Sequence, residues 1–338
     1  MKVVQITGER KCEIVEKPEP KAVDEFVVVR IHVAPMCTEY KAYKTGKMYH
    51  PLGHEAAGEV EEVAQKGTVE VGQRVVVMPQ YPCGTCSLCL SGNYIHCQKN
   101  RDMKEILGSD WGTDTYAQFV VKQDWLLLPI PDGMSYEHAS MACCGFGPTF
   151  GASELMKVGA FDTVLITGLG PVGLGGVINA RYRGARVIGV EGNPYRARLA
   201  KELGAEDVLD PNGEALEHVL ELTNGQGVDK AIECSGTGEA AAFCIKATRR
   251  KGQVSIVGGS GDFTVNGVSD FISKGLSVHG VWHWNLGAAP RMMKLIKNSG
   301  EKIDKMITHS FSLSEVRDAW ELQLTGRCGK VLLYPWKQ

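Results

Sequence analysis

Four cysteines, Cys83, Cys86, Cys89 and Cys97, follow one another in the spacing C-x2-C-x2-C-x7-C. Four thiolates in one loop can close a tetrahedral zinc site, and a closed site is structural because no position is left for a substrate. An iron–sulfur cluster is the chemical competitor. The ferredoxin run, however, places its fourth Cys three residues on and before Pro, whereas here it follows seven residues and precedes Gln98. A second chemistry lies in GLGPVG, Gly168 to Gly173, between the strand TVLIT and a helical stretch. Gly168 makes the tight turn, Gly170 lets backbone N–H groups approach a pyrophosphate, and Gly173 permits close helix packing. Pro171 and Val172 open the helix whose N-terminus receives the anion. Glu191 ends the next strand, near the distance of about 20 residues at which an acid accepts hydrogen bonds from the adenosine ribose. A carboxylate there repels a 2′-phosphate and predicts NAD over NADP. Arg196 is the complicating residue, because an Arg can meet that phosphate or stack on adenine. The third constellation is dispersed: Cys37, the pair His54 and Glu55, and Cys144. Taken singly, a Cys is more often a small buried hydrophobe, and a His more often a satisfied or exposed side chain.

The elements that must position these residues change character along the chain. Up to about residue 145 the sequence reads as short β-rich runs (EFVVVRIHVAP, AAGEVEEV, GQRVVVMP, AQFVVKQDWLLLP) between Gly, Pro and charged turns, the texture of a β-barrel-type domain. From about 150 strands alternate with helical patterns, which predicts βαβ units and a parallel sheet. Asn193, Pro194 and Gly204 punctuate one of these helices as N-cap, first residue and terminator. RMMKLIKNSGEKIDKMI is helical, and GKVLLYP closes the chain as a strand that can rejoin the first half.

Composition narrows the partners. A chain of 338 residues, with 43% hydrophobic and 22% charged residues, predicts two domains of a soluble globular protein. Lys+Arg 37 against Asp+Glu 39 leaves a net charge of -2, with no electrostatic footprint for nucleic acid or a membrane surface. The most apolar run, TVLITGLGPVGLGGVINA, is Gly-rich and shorter than the roughly 20 residues a spanning helix needs. The charged N-terminus lacks a signal-peptide core, so the eleven cysteines are expected to stay reduced in the cytoplasm. Cys12, Cys234, Cys244 and Cys328 read as buried or incidental thiols.

The order Cys37, Gly53-His54-Glu55, the four-cysteine loop, a Cys at the domain junction, GxGxxG, an acid after the next strand, ECSG at 233 to 236 and the terminal GKVLL resembles the zinc-containing medium-chain dehydrogenases of the alcohol and polyol type. The resemblance spans essentially the whole chain. It implies a GroES-like β-barrel-type catalytic domain over residues 1–147, completed by 286–338, and a Rossmann domain with a doubly wound parallel sheet over 148–285. It implies two zinc ions per chain, one in the four-cysteine loop and one at Cys37, His54 and Cys144, with Glu55 as an alternate or close-lying ligand. Cys143 competes for the third position, but GFGPTFGA aligns better if Cys144 is the ligand. Three protein ligands leave the fourth position open.

The implied activity is reversible hydride transfer from an alcohol to NAD, with zinc as Lewis acid on the substrate oxygen. A secondary alcohol, polyol or sugar-like, is preferred; a threonine- or aldehyde-type dehydrogenase and a noncatalytic zinc- and NAD-binding relative are the alternatives. The partners are a small-molecule alcohol or carbonyl and further copies of the chain, as homodimer or homotetramer. One departure stands out. Two residues after the zinc Cys the family usually has Ser or Thr, then Asp; here Thr38-Glu39-Tyr40 follow Cys37, and Ala42 replaces a His used in alcohol proton relays. Glu39 can accept the alcohol's proton, orient His54, or remain a solvated charge. Trp282, His283 and Trp284 in VHGVWHWN are expected at a subunit interface in preference to a pocket wall, and Trp111 is a candidate for the substrate cleft.

Overall fold

A hairpin of β1 (Lys2–Gly8) and β2 (Lys11–Glu16) opens the chain, turning at Arg10 with a left-handed φ of 51°. The next strand, β3 (Phe26–Pro35), is the backbone of the first sheet, and its sequence FVVVRIHVAP is apolar on both faces for that reason. It pairs antiparallel with β4 (Ala56–Glu62) and with β6 (Phe119–Gln123), so Val29 faces Val60 on one edge and Val120 on the other. β5 (Arg74–Val77) continues from β4, and β7 (Leu127–Pro129) from β5. The computed structural model describes residues 1–47, 51–259 and 261–337. The chain divides into two compact units: Met1–Gly145 with Asn285–Gly300 and Ile307–Gln338, and Phe146–Trp284 with Glu301–Met306.

In the second unit β8 (Thr163–Thr167), β9 (Arg186–Val190), β10 (Asp207–Leu209), β11 (Val228–Glu233), β12 (Thr248–Ile256) and β13 (Ser277–Gly280) form one six-stranded parallel sheet in the order β10-β9-β8-β11-β12-β13. Leu165, Ile188, Ala231 and Val254 are fully buried at its centre, as expected of strands covered on both faces. The strand order reverses between β8 and β11, and ligands of such sheets bind outside the carboxyl ends of the strands at that switch. The helix Pro194–Leu203 is built as its sequence dictates. Asn193 Oδ1 accepts from the N–H groups of Tyr195 (2.9 Å) and Arg196 (3.4 Å), and Gly204, at φ 118°, ends the helix.

The chain then returns to the first unit. β14 (Ile307–Ser312) lies parallel to β15 (Lys330–Tyr334), and β15 pairs antiparallel with β3, setting Leu333 opposite Ala34. The core beneath joins Val29 and Ile31 to Tyr43, Tyr116, Trp320 and Leu333. Among the described residues no helix is long and apolar enough to cross a membrane.

Candidate active site

Three chain segments converge in the first unit. Cys37 follows the end of β3, His54 and Glu55 immediately precede β4, and Cys144 lies in the turns after the helix Tyr136–Ser140. One ligand atom from each of Cys37, His54, Glu55 and Cys144 lies within 4.8 Å of the others. Cys143 points elsewhere: its thiol is buried and donates to the Val77 carbonyl at 3.4 Å. The His54 ring turns Nε2 toward Cys144 Sγ (3.2 Å) and Nδ1 toward Glu39 Oε1 (2.8 Å). A hydrogen bond from Cys144 draws the Cys37 thiol well below its ordinary range despite burial, the behaviour of a group that serves as thiolate. Two thiols and an imidazole with one nitrogen held from behind are a zinc donor set, and one that leaves a coordination position open.

Glu39 is buried, at 4% exposure, so the solvated-charge alternative does not hold. Besides His54, its carboxylate accepts from the backbone N–H of Cys37 (3.1 Å) and the hydroxyl of Tyr116 (2.9 Å). Burial alone would raise this carboxyl; His54 and these donors hold it down to about 2. The longer Glu at the position of the family's hydroxyl thus makes the imidazole contact, while Tyr40 opens the short helix Tyr40–Thr45 and Thr38 is exposed.

Glu55 is fully buried, and sequence reasoning missed its partner. Lys330, 1% exposed at the start of β15, donates to both Glu55 oxygens at 2.9 and 3.0 Å, and the Cys144 N–H donates at 3.1 Å. Burial works against the ammonium, but the Glu55 carboxylate overrides it and holds Lys330 charged. The signal was a lone charge opening an otherwise apolar strand, KVLLY. Tyr116 carries no such signal.

In the four-cysteine loop Cys83, Cys86, Cys89 and Cys97 also bring their sulfurs within 4.8 Å of one another. Backbone N–H groups point at the sulfurs: Cys83 and Lys99 donate to Cys97 Sγ at 3.3 and 3.4 Å, and Cys86 to Cys83 Sγ at 3.4 Å. The N–H groups of Thr85 and Cys86 push the Cys83 thiol down to about 6. Four sulfurs gathered from one loop, with backbone N–H groups aimed at two of them, fit a closed zinc site.

In the second unit each glycine of the turn has its own necessity. Gly168 sits at φ 76°, where a Cβ would lie 2.4 Å from Ser235 Cα, and a Cβ on Gly173 would lie 2.0 Å from the Gly168 carbonyl oxygen. Around Gly170 the nearest atom is Arg196 Nη1, 3.8 Å from where a Cβ would stand, so its backbone is approachable. Gly170 caps the helix Pro171–Tyr182, with Pro171 and Val172 as its partly exposed first residues. Glu191 accepts from the N–H of Leu169 (2.7 Å) and of Asn193 (2.8 Å), bridging the glycine turn and the next helix cap. A turn of this geometry can receive a dinucleotide's pyrophosphate and ribose.

The aromatic run divides. Trp282 is 54% exposed, whereas His283 and Trp284 are buried in the single chain, closing on Gly147 and on the Phe150 ring, which leaves little of either for the expected interface. Trp111 takes the Lys17 ammonium over its ring.

Comparison with known proteins agrees with this geometry. Residues 24–132 match the alcohol dehydrogenase GroES-like domain, and residues 171–298 the zinc-binding dehydrogenase family. The L-threonine 3-dehydrogenase of Pyrococcus furiosus is 31% identical over 98% of this chain and 97% of its own, and the sorbitol dehydrogenase of Bacillus subtilis 29% over 99% and 97%. The structure of 2R,3R-butanediol dehydrogenase from Bacillus subtilis superposes with a TM-score of 0.85 at 25% identity, covering 99% of both chains. The chain belongs to the zinc-binding dehydrogenase family, with a GroES-like domain and a Rossmann domain. It is an oxidoreductase of CH–OH groups that works with zinc and a nicotinamide dinucleotide.

Proposed function

We propose that this protein oxidises a secondary alcohol of polyol or sugar-like type, reversibly, with NAD as hydride acceptor. The observation that carries the reading is the convergence of Cys37, His54 and Cys144 in front of a buried carboxylate, Glu39, that holds the far nitrogen of the imidazole. Zinc held by those three donors supplies, when bound, a Lewis acid for the substrate oxygen, and the dinucleotide on the Gly168–Gly173 turn a hydride acceptor. Glu39 keeps the proton on His54 Nδ1 and leaves Nε2 to the metal; its buried, donor-filled oxygens favour this orienting role over proton transfer from the alcohol. Lys330 neutralises Glu55, which makes Glu55 a close neighbour of the three ligands in this arrangement. Cys83, Cys86, Cys89 and Cys97 hold the second, structural zinc. Glu191 selects NAD, with Arg196 beside the same turn.

The names of the relatives divide the substrate class. Sorbitol and D-arabitol-phosphate dehydrogenases support a polyol, and L-threonine 3-dehydrogenases support the second reading, an amino alcohol. A screen of sorbitol, arabitol, 2,3-butanediol, L-threonine and ethanol for NADH formation tests both. Preference for a polyol by kcat/KM sustains the proposal, preference for threonine replaces it, and no NADH from a chain carrying two zinc ions leaves the noncatalytic alternative.

Assembly and location belong to the same proposal. β13 is the edge of its sheet, and Ile272 (76%), Val268 (65%) and Trp282 (54%) are exposed nearby in sequence, which supports a homodimer or homotetramer through that side. A monomer by light scattering overturns this part. None of the eleven cysteines is in a disulfide and six of them are placed as zinc ligands, a use of thiolates that supports the reducing cytoplasm.

A further inference from the structure

We infer that Tyr116 is a positioning residue of the catalytic metal site, acting through Glu39 on His54; this rests on the reading of Cys37, His54 and Cys144 as zinc ligands. The phenol donates to Glu39 Oε2 at 2.9 Å, the oxygen that also accepts from the Cys37 N–H, while Oε1 takes the His54 Nδ1 contact at 2.8 Å. One carboxylate therefore ties the backbone of one ligand to the ring of another, and the tyrosine hydroxyl fixes its rotation. A Glu two residues after Cys37 folds back on its own loop through one more methylene than an Asp, so an anchor from outside that loop removes the freedom the extra bond adds.

The anchor is itself over-determined. Tyr116 is fully buried, with its ring against Trp320 at 6.1 Å between centroids. Its segment is stapled to the turn that carries His54: the N–H groups of Thr115 and Tyr116 donate to the Leu52 carbonyl at 3.0 and 3.1 Å, and the Leu52 N–H donates to Asp114 Oδ1 at 2.7 Å. Between them Gly53, at φ 78°, admits the ring, because a Cβ there would stand 2.5 Å from Tyr116 Cδ1 and 2.4 Å from Thr115 Oγ1. The hydroxyl is thus rigid with respect to the ligand it orients, as a positioning group must be.

Tyr116→Phe removes the hydroxyl and keeps the ring. Zinc affinity of the catalytic site, measured by competition with a chromophoric chelator on the full chain with the four-cysteine site still loaded, is expected to fall about tenfold. The visible bands of the cobalt-substituted protein are expected to shift, with the melting temperature close to that of the wild type. In a Glu39→Gln background the same change is expected to add little, since the hydroxyl acts chiefly through that carboxylate at 2.9 Å and its direct contact, accepting from the Cys37 N–H, is long at 3.4 Å. Unchanged affinity and cobalt bands overturn the inference, as does full additivity with Glu39→Gln or a Tyr116→Phe chain that does not fold. A wild-type chain that binds zinc in the four-cysteine loop alone overturns the metal reading beneath it, which is a distinct result.

Discussion

Replacing Lys330 by Met leaves the Glu55 carboxylate buried at 0% exposure with its ammonium gone, the Cys144 N–H still donating to it and His54 Nε2 3.9 Å away. Lys330 contributes two charge-assisted hydrogen bonds, at 2.9 and 3.0 Å. Removing one partner of a buried ion pair costs about 3–5 kcal/mol, most of it the penalty of the stranded charge. In the zinc-free chain Glu55 answers by taking a proton, since burial already pushes its carboxyl up to about 7 against the pull of Lys330. The sign follows: a carboxyl whose folded pKa lies above its unfolded one stabilises at low pH and loses that contribution as pH rises through the folded value. Without Lys330 the rise is larger, so Lys330→Met is expected to destabilise more at pH 8 than at pH 5, by up to about 1.4 kcal/mol, the worth of the one unit between the wild-type value of about 7 and pH 8. Pairing it with Glu55→Gln removes the charge and is expected to recover much of the loss. Urea unfolding of the zinc-free chains, followed by tryptophan fluorescence at both pH values, reads this directly. A Lys330→Met chain within about 1 kcal/mol of wild type at pH 8, or a double variant no more stable than the single, refutes the reasoning.

Elemental analysis should give two zinc ions per chain; Cys83→Ser is expected to lose one ion together with stability, and Cys37→Ser the other together with activity while circular dichroism stays unchanged. Glu191→Ser, which deletes a ribose acceptor and the charge facing a 2′-phosphate, is expected to narrow the NAD over NADP preference in kcat/KM by about tenfold or more, and a wild type that favours NADP would overturn the ribose assignment. Burial pushes the Lys122 ammonium down to about 7 from 10.5, although it donates to the Gln80 carbonyl and lies over the Tyr81 ring. Between those values the unfolded chain holds a proton the folded chain has lost, so wild-type stability should rise with pH and Lys122→Met should flatten the rise; parallel urea midpoints for the two chains count against this.

What could be read from the residues alone was whatever local spacing encodes. C-x2-C-x2-C-x7-C, the glycine turn with its strand and helix, the Asn193-Pro194 start and the Gly204 stop are each made by neighbours in the chain, so their chemistry survives without knowledge of the fold. The alternation of strands and helices likewise betrayed a parallel sheet, because period and punctuation are local properties. Cys37, His54 and Cys144 were individually mute, and only a family resemblance linked them. What tertiary structure decided was the company each buried charge keeps. Glu39 was open to three roles until His54, the Cys37 N–H and Tyr116 were seen around its carboxylate, and Glu55 had no visible counter-ion until β15 returned Lys330 to it from the far end of the chain. A carboxylate's role depends on which donors reach it and on how much water is excluded, and both are set by strands that meet across hundreds of residues.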